Sequence, residues 1–144
     1  MIGPLAIVIV AVLAAIALLH LSWAFGQRWP GVDEVSLAET VGGLPPGSRM
    51  HPPAACVLVA SLIGIAAVVV AVDSAGVLAG PAGALVRLAY LALVAVFGLR
   101  GAAGFVPVLW RRTQGTPFHR LNRLYYSPLC LLIAAGLIAN LVRG

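Results

Sequence analysis

The stretch from Gly3 to Phe25, GPLAIVIVAVLAAIALLHLSWAF, contains no charged side chain. About 20 apolar residues in helical form cross the roughly 30 Å hydrocarbon core of a bilayer. Within that core each backbone N–H and C=O must find its partner inside its own segment, so such a run folds as a helix. Three further runs are long and apolar enough to do the same, at about residues 54–72, 83–106 and 124–142, the second of these carrying Arg87 and Arg100. The expected fold is therefore all-α: a membrane-embedded four-helix bundle, with residues 1–144 forming a single transmembrane domain and the longer connections at 26–53 and 107–123.

Composition supports the same class. Hydrophobic residues make up 62% of the chain and charged ones 9%, and the mean hydropathy is +1.07, well outside the balance of a soluble domain. The net charge of +5 does not indicate nucleic acid, because the basic residues lie mainly in connections and at span ends, where anionic lipid headgroups attract them. All nine are arginine, a bias that reads as a GC-rich coding sequence and hence a bacterial source. Cys56 and Cys130 form no CxxC pair and read as small buried hydrophobes. The first run lacks a basic leader and is too long for a signal-peptide core, so no cleavable signal is expected.

Local signals set the boundaries. Arg28, Pro30 and Gly31 end the first run, and the spacing of Ser36 and Glu39 predicts a capping box opening a short helix through LAETV. Pro107 bends or ends the third helix, and Trp110, Arg111 and Arg112 mark the interface beyond it. A fourth span beginning at Pro128 would be too short to cross, so that helix is expected to start within LNRLYYS and to kink at the proline. No repeat of fixed period is evident.

Arginine placement orients the chain. The two longer connections hold Arg28, Arg49, Arg111, Arg112, Arg120 and Arg123, against Arg87 and Arg143 on the other side. By the positive-inside rule those connections face the cytoplasm and both termini lie on the extracytoplasmic side, which makes this a multi-pass protein of the bacterial cytoplasmic (inner) membrane.

That orientation gathers polar side chains in one leaflet: His20, Ser22, Trp23 and Gln27 on the first span, Arg100 on the third, and Asn122, Arg123, Tyr125, Tyr126 and Ser127 on the fourth. Helical spacing puts His20, Trp23 and Gln27 on one stripe. Arg100 cannot lose its proton, and a charge at the bilayer centre costs at least about 2.5–3.5 kcal/mol on insertion scales. No aspartate or glutamate lies within the spans to offset it. Three compensations remain: extension to the headgroups, a lid formed by Glu34 or Glu39, or an anionic ligand held by the guanidinium. Gly104, one turn from Arg100, leaves room beside it.

The candidate ligand-binding set is thus Arg100, His20, Trp23, Gln27, Asn122, Arg123, Tyr125 and Tyr126. No catalytic residue is assigned, with His20 and Tyr125 as the candidates for proton transfer. His51 and His119, the other histidines, lie in connections, so neither a metal site nor a haem or other cofactor is expected. Trp29 and Trp110 read as members of an interfacial aromatic belt.

The segments LHLSWAFGQRWPG, VFGLRGAAGFVP and FHRLNRLYYSPLCLL together resemble a family of small bacterial four-span proteins catalogued only as a domain of unknown function. The resemblance covers nearly the whole chain. It implies the four-span architecture and carries no established activity.

Two functional readings follow. One is a membrane protein that binds an amphiphile, with the tail between helices, Arg100 on the anionic head, and His20 or Tyr125 moving a proton. The other is a structural or accessory subunit that docks a partner protein or a second copy, with Gly98, Gly101, Ala102 and Gly104 allowing close helix contact. A proton-coupled exporter is disfavoured by the missing intramembrane acid.

Overall fold

Proline stands in the first turn of each long helix, where its missing N–H costs no hydrogen bond and its fixed φ suits the helix. A computed structural model describes residues 2–143. Helix α1 spans Pro4–Ala24. The connection after it holds α2, Glu34–Leu37, which runs into a wider π-helical turn at Ala38–Gly42. Helices α3, Pro53–Ala75, and α4, Gly80–Ala103, follow, then a 3-10 helix at Pro107–Thr113. The last apolar segment is helical in three parts: α5 at Pro117–Leu121, a second π-helical turn at Asn122–Tyr126, and α6 at Ser127–Arg143. Four of these helical segments are long and apolar enough to cross a membrane.

The helices α1 and α4 each pack on both α3 and α6, so α1 and α4 stand at opposite corners of the bundle. The core between them is built from Ala6, Ile9 and Leu13 of α1, Ala66, Ala67 and Val70 of α3, Tyr90 of α4, and Ile133 and Leu137 of α6. The small side chains on α3 let its backbone approach α1 closely. Leucines such as Leu58, Leu62, Leu85, Leu88, Leu99 and Leu132 point outward, which suits contact with lipid chains.

Where α3 ends and α4 begins, charges and dipoles are matched inside the protein. Arg87 pairs with Asp73 at 3.1 Å. The hydroxyl of fully buried Tyr90 donates to the Leu137 carbonyl at 2.9 Å, and Asn140 Nδ2 lies 2.9 Å from Ser74 Oγ and 3.1 Å from Tyr90 Oη. Asn140 therefore ties α6 to both α3 and α4.

The capping box of the first connection lies three residues earlier than Ser36 and Glu39. Asp33 is the cap: its Oδ1 accepts from the Ser36 N–H at 2.7 Å, and Ser36 Oγ accepts from the Asp33 N–H at 3.0 Å. A short carboxylate next to the first turn reaches that N–H without distortion. Glu39 instead accepts from the Gly47 N–H at 2.7 Å and pins the loop beyond the π-turn.

The Asp33 carboxyl is held below its ordinary value of 3.8, first by the Ser36 N–H and then by the Ser36 hydroxyl. A depressed carboxyl stabilises the fold above its unfolded pKa and loses that contribution as pH falls through the folded value. Hydrogen exchange at the Ser36 amide should therefore be slower in the wild type than in Asp33→Ala by a constant factor between about pH 5 and 8. The difference should vanish in acid below the folded pKa. A difference that persisted there would show that the carboxylate does not cap this turn.

Candidate functional site

The π-helical turn before α6 builds the polar end of the bundle. Pro128 has no N–H, and its ring crowds the carbonyl four residues back, so the helix cannot enter it in ordinary register. The backbone widens instead, and the Ser127 N–H bonds to the Asn122 carbonyl, an i to i+5 step. Residues five apart, which diverge on an α-helix, are thereby brought to the same side. Ser127 Oγ donates to Asn122 Oδ1 at 3.2 Å, and both residues are buried, at 0% and 1% exposure.

Arg100 meets this pair from α4. Its Nη2 donates to Asn122 Oδ1 at 2.9 Å, and its Nη1 lies 3.4 Å from Ser127 Oγ. The guanidinium carbon sits 5.0 Å from the centroid of the Trp110 ring, a cation–π distance. That ring is anchored by its own Nε1–H, which donates at 2.8 Å to the carbonyl of Ala103, the last residue of α4. Phe118 packs against Trp110 with centroids 5.4 Å apart and against Tyr126 at 5.7 Å. The close approach of α6 to α4 depends on Gly104, where a Cβ would run into the Ser127 side chain.

The positive charge is thus met by an amide oxygen, a hydroxyl and a ring face. Among the described residues no carboxylate lies within ion-pair distance of Arg100. The glutamate lid is not the arrangement found: Glu34 approaches Arg49 at 3.6 Å, and Glu39 holds Gly47.

The other expected site residues divide between two places. His20 and Trp23 lie at the opposite corner, on α1. The His20 Nδ1–H donates to the Ile16 carbonyl at 2.8 Å, and its ring stands 4.8 Å from that of Trp23. Trp23 Nε1–H donates to the Trp29 carbonyl at 2.8 Å, and the indole packs with Leu37 and Cys56. Gln27 is exposed and accepts from the Arg28 N–H at 3.2 Å. None of the three touches Arg100. On the last segment, Asn122 joins Arg100, Arg123 lies beside it at the surface, and Tyr126 donates to the Thr40 carbonyl at 3.0 Å. Tyr125 is 63% exposed and faces away.

Two residues that sequence reasoning gave no place in the site belong to this end, Trp110 and His119, while Gly104, expected to leave room beside Arg100, seats Ser127. A recess of about 10 Å³, room for about one water, is lined by Gly104, Phe105, Pro107, Trp110, His119, Asn122 and Arg123. Beside it lies an open groove of about 430 Å³ lined by Phe105, His119, Arg120, Arg123 and Leu124. Phe105, His119 and Arg123 line both, so the recess continues the groove inward. His119 is held by Thr113, whose Oγ1 lies 3.3 Å from its Nδ1. Among the described residues no three His, Cys, Asp or Glu side chains cluster as metal ligands would.

Apolar helices with outward-facing leucines, and a polar cluster at one end, define a multi-pass helical membrane protein. The chain belongs to the family described as Protein of unknown function (DUF3995), whose model matches residues 13–137. No curated protein and no solved structure matches it.

Removing the charge and removing its acceptor should differ. Asn122→Leu leaves a half-buried guanidinium without its closest partner and should lower stability by about 1.5–3 kcal/mol, the usual worth of a hydrogen bond to a charged group. Arg100→Leu should cost less than half as much, because Asn122 Oδ1 keeps Ser127 as a donor. Thermal unfolding in detergent distinguishes them, and equal losses would refute the cap. By the same assay Gly104→Ala should destabilise by about 1–3 kcal/mol through overpacking. Gly64→Ala, where a Cβ meets nothing within 4 Å, should not.

Proposed function

We propose that this protein binds the anionic head of a lipid-like amphiphile in the groove beside Arg100, in the cytoplasmic leaflet of a bacterial inner membrane. The observation that carries the reading is that Arg120, Arg123 and His119 line a groove whose inner recess abuts Asn122 and Trp110, the partners of Arg100, and that no carboxylate lines either space. The groove is open on one side, which suits a head held at the surface rather than an enclosed molecule. The recess of about 10 Å³ is far too small for a chain, and the bundle core is filled by side chains, so the tail lies outside the helices, against Phe105 and Leu124, rather than between them. His20 and Tyr125 line neither space. The reading is accordingly one of recognition, in which Arg120 and Arg123 meet the anion directly, while Arg100, which lines neither space, adds its charge from behind Asn122 and Trp110.

Native mass spectrometry of the protein released from nanodiscs that mix anionic and zwitterionic lipids tests this. The wild type should retain anionic lipid at least about tenfold more than Arg100→Leu combined with Arg123→Leu. Equal retention would overturn the reading and favour the accessory role. Orientation is tested separately: a periplasm-dependent reporter fused after Arg143 should be active, and the same reporter inserted in the 107–123 connection silent. The reverse pattern would move the groove to the other leaflet.

A further inference from the structure

We infer that the head taken by this groove is a phosphomonoester rather than a phosphodiester, and that His119 distinguishes them. The inference rests on the reading above and adds the chemistry of the head.

The hydrogen bonds around His119 fix which of its nitrogens carries the proton. Thr113 Oγ1 donates its single proton to the Trp110 carbonyl at 2.8 Å. Toward His119 Nδ1, 3.3 Å away, that hydroxyl can only accept, so Nδ1 bears the hydrogen and the neutral ring presents a lone pair at Nε2. Nε2 has no partner among the described residues. Among the described residues no partnerless side-chain nitrogen or oxygen is sealed off, so Nε2 is reachable from outside, and His119 lines both the recess and the groove.

Asn122 supplies the complement. Its Oδ1 takes both Arg100 and Ser127, which leaves its Nδ2 amide as an unused donor on the recess wall. Among its side chains the wall therefore offers donors from Asn122, Arg123 and Arg120 and an acceptor in His119 Nε2. A phosphodiester carries only acceptors at neutral pH, and one of its oxygens would face the Nε2 lone pair. A phosphomonoester in its monoanionic form carries a P–O–H that can donate to it.

The recess accommodates about one oxygen and the groove the remainder of the head.

The full-length protein in phosphatidylcholine nanodiscs containing a minor fraction of either phosphatidic acid or phosphatidylglycerol provides the test at neutral pH. Wild type should retain phosphatidic acid at least about tenfold more than phosphatidylglycerol. His119→Phe, which keeps a ring of similar size, should bring the two within about twofold of each other by lowering phosphatidic acid retention more than phosphatidylglycerol retention. Thr113→Val, which releases the tautomer but keeps the imidazole, should reduce the preference partway.

Equal retention of both lipids by the wild type, each above phosphatidylcholine, would overturn the monoester inference and leave anion binding intact. Retention of neither would overturn the reading beneath it. An undiminished preference in His119→Phe would remove His119 from the recognition. Competition by soluble glycerol phosphate at the concentration where phosphatidic acid binds would support the phosphomonoester chemistry and overturn the lipid as its source.

Discussion

A guanidinium that no carboxylate neutralises governs the arrangement of this end of the bundle. Arg100 lies in the last turn of α4, which ends at Ala103. There the partial negative charge of the helix terminus is worth about 0.3–1 kcal/mol to a cation. Asn122 Oδ1, Ser127 Oγ and the face of Trp110 contribute further, and each is a neutral dipole or quadrupole. Such partners lower the cost of the charge without cancelling it, so the surface above it stays positive. At the other end Arg87 has Asp73 within 3.1 Å, and its charge is balanced locally. The two arginines of α4 therefore differ in what they leave available to a third party.

Holding neutral dipoles on a cation requires a rigid frame, and the two longer connections provide it by interlocking. Tyr126, at the end of the second π-turn, donates to the Thr40 carbonyl in the first. Phe118 rests where Gly43 has no side chain: a Cβ there would stand 3.2 Å from the ring. Phe118 in turn buttresses Trp110. The cap on Arg100 is thus fixed through Trp110, Phe118 and Tyr126 to a loop far away in sequence, and little reorganisation is left for a ligand to cause.

The membrane class and the helical bundle were legible because long apolar runs admit no other backbone solution. The pairing of Arg100 with Asn122 was half legible: polar residues at one end of two spans suggest convergence, but which of them meet depends on helix rotation. On a plain α-helix Asn122 and Ser127 point apart, and only the π-turn before Pro128 aligns them. The proline was a visible signal for an irregularity there, though not for its kind. His20 and Trp23 occupy a comparable depth on α1, yet α1 and α4 sit at opposite corners, a fact of helix order around the bundle that no local pattern encodes. Trp110 resembled an interfacial anchor because its carbonyl partner, Ala103, bears no side-chain signature.

Between the two polar ends the described side chains fill the interior with hydrocarbon. Going from the Tyr90 layer toward Arg100, the helices present Val94, Phe97 and Ile133 to one another, and Leu13, Val70 and Leu137 are fully buried beside them. A proton or ion crossing this layer would have to shed its water against hydrocarbon, at a cost of several kcal/mol or more. The Asp73–Arg87 pair and the Arg100 cluster therefore act as separate devices on one scaffold, the first joining α3 to α4 with its charge closed and the second presenting an open charge at the interface. A bundle filled by hydrocarbon in the middle and cationic at one rim is the arrangement that the proposed recognition of an anionic head requires.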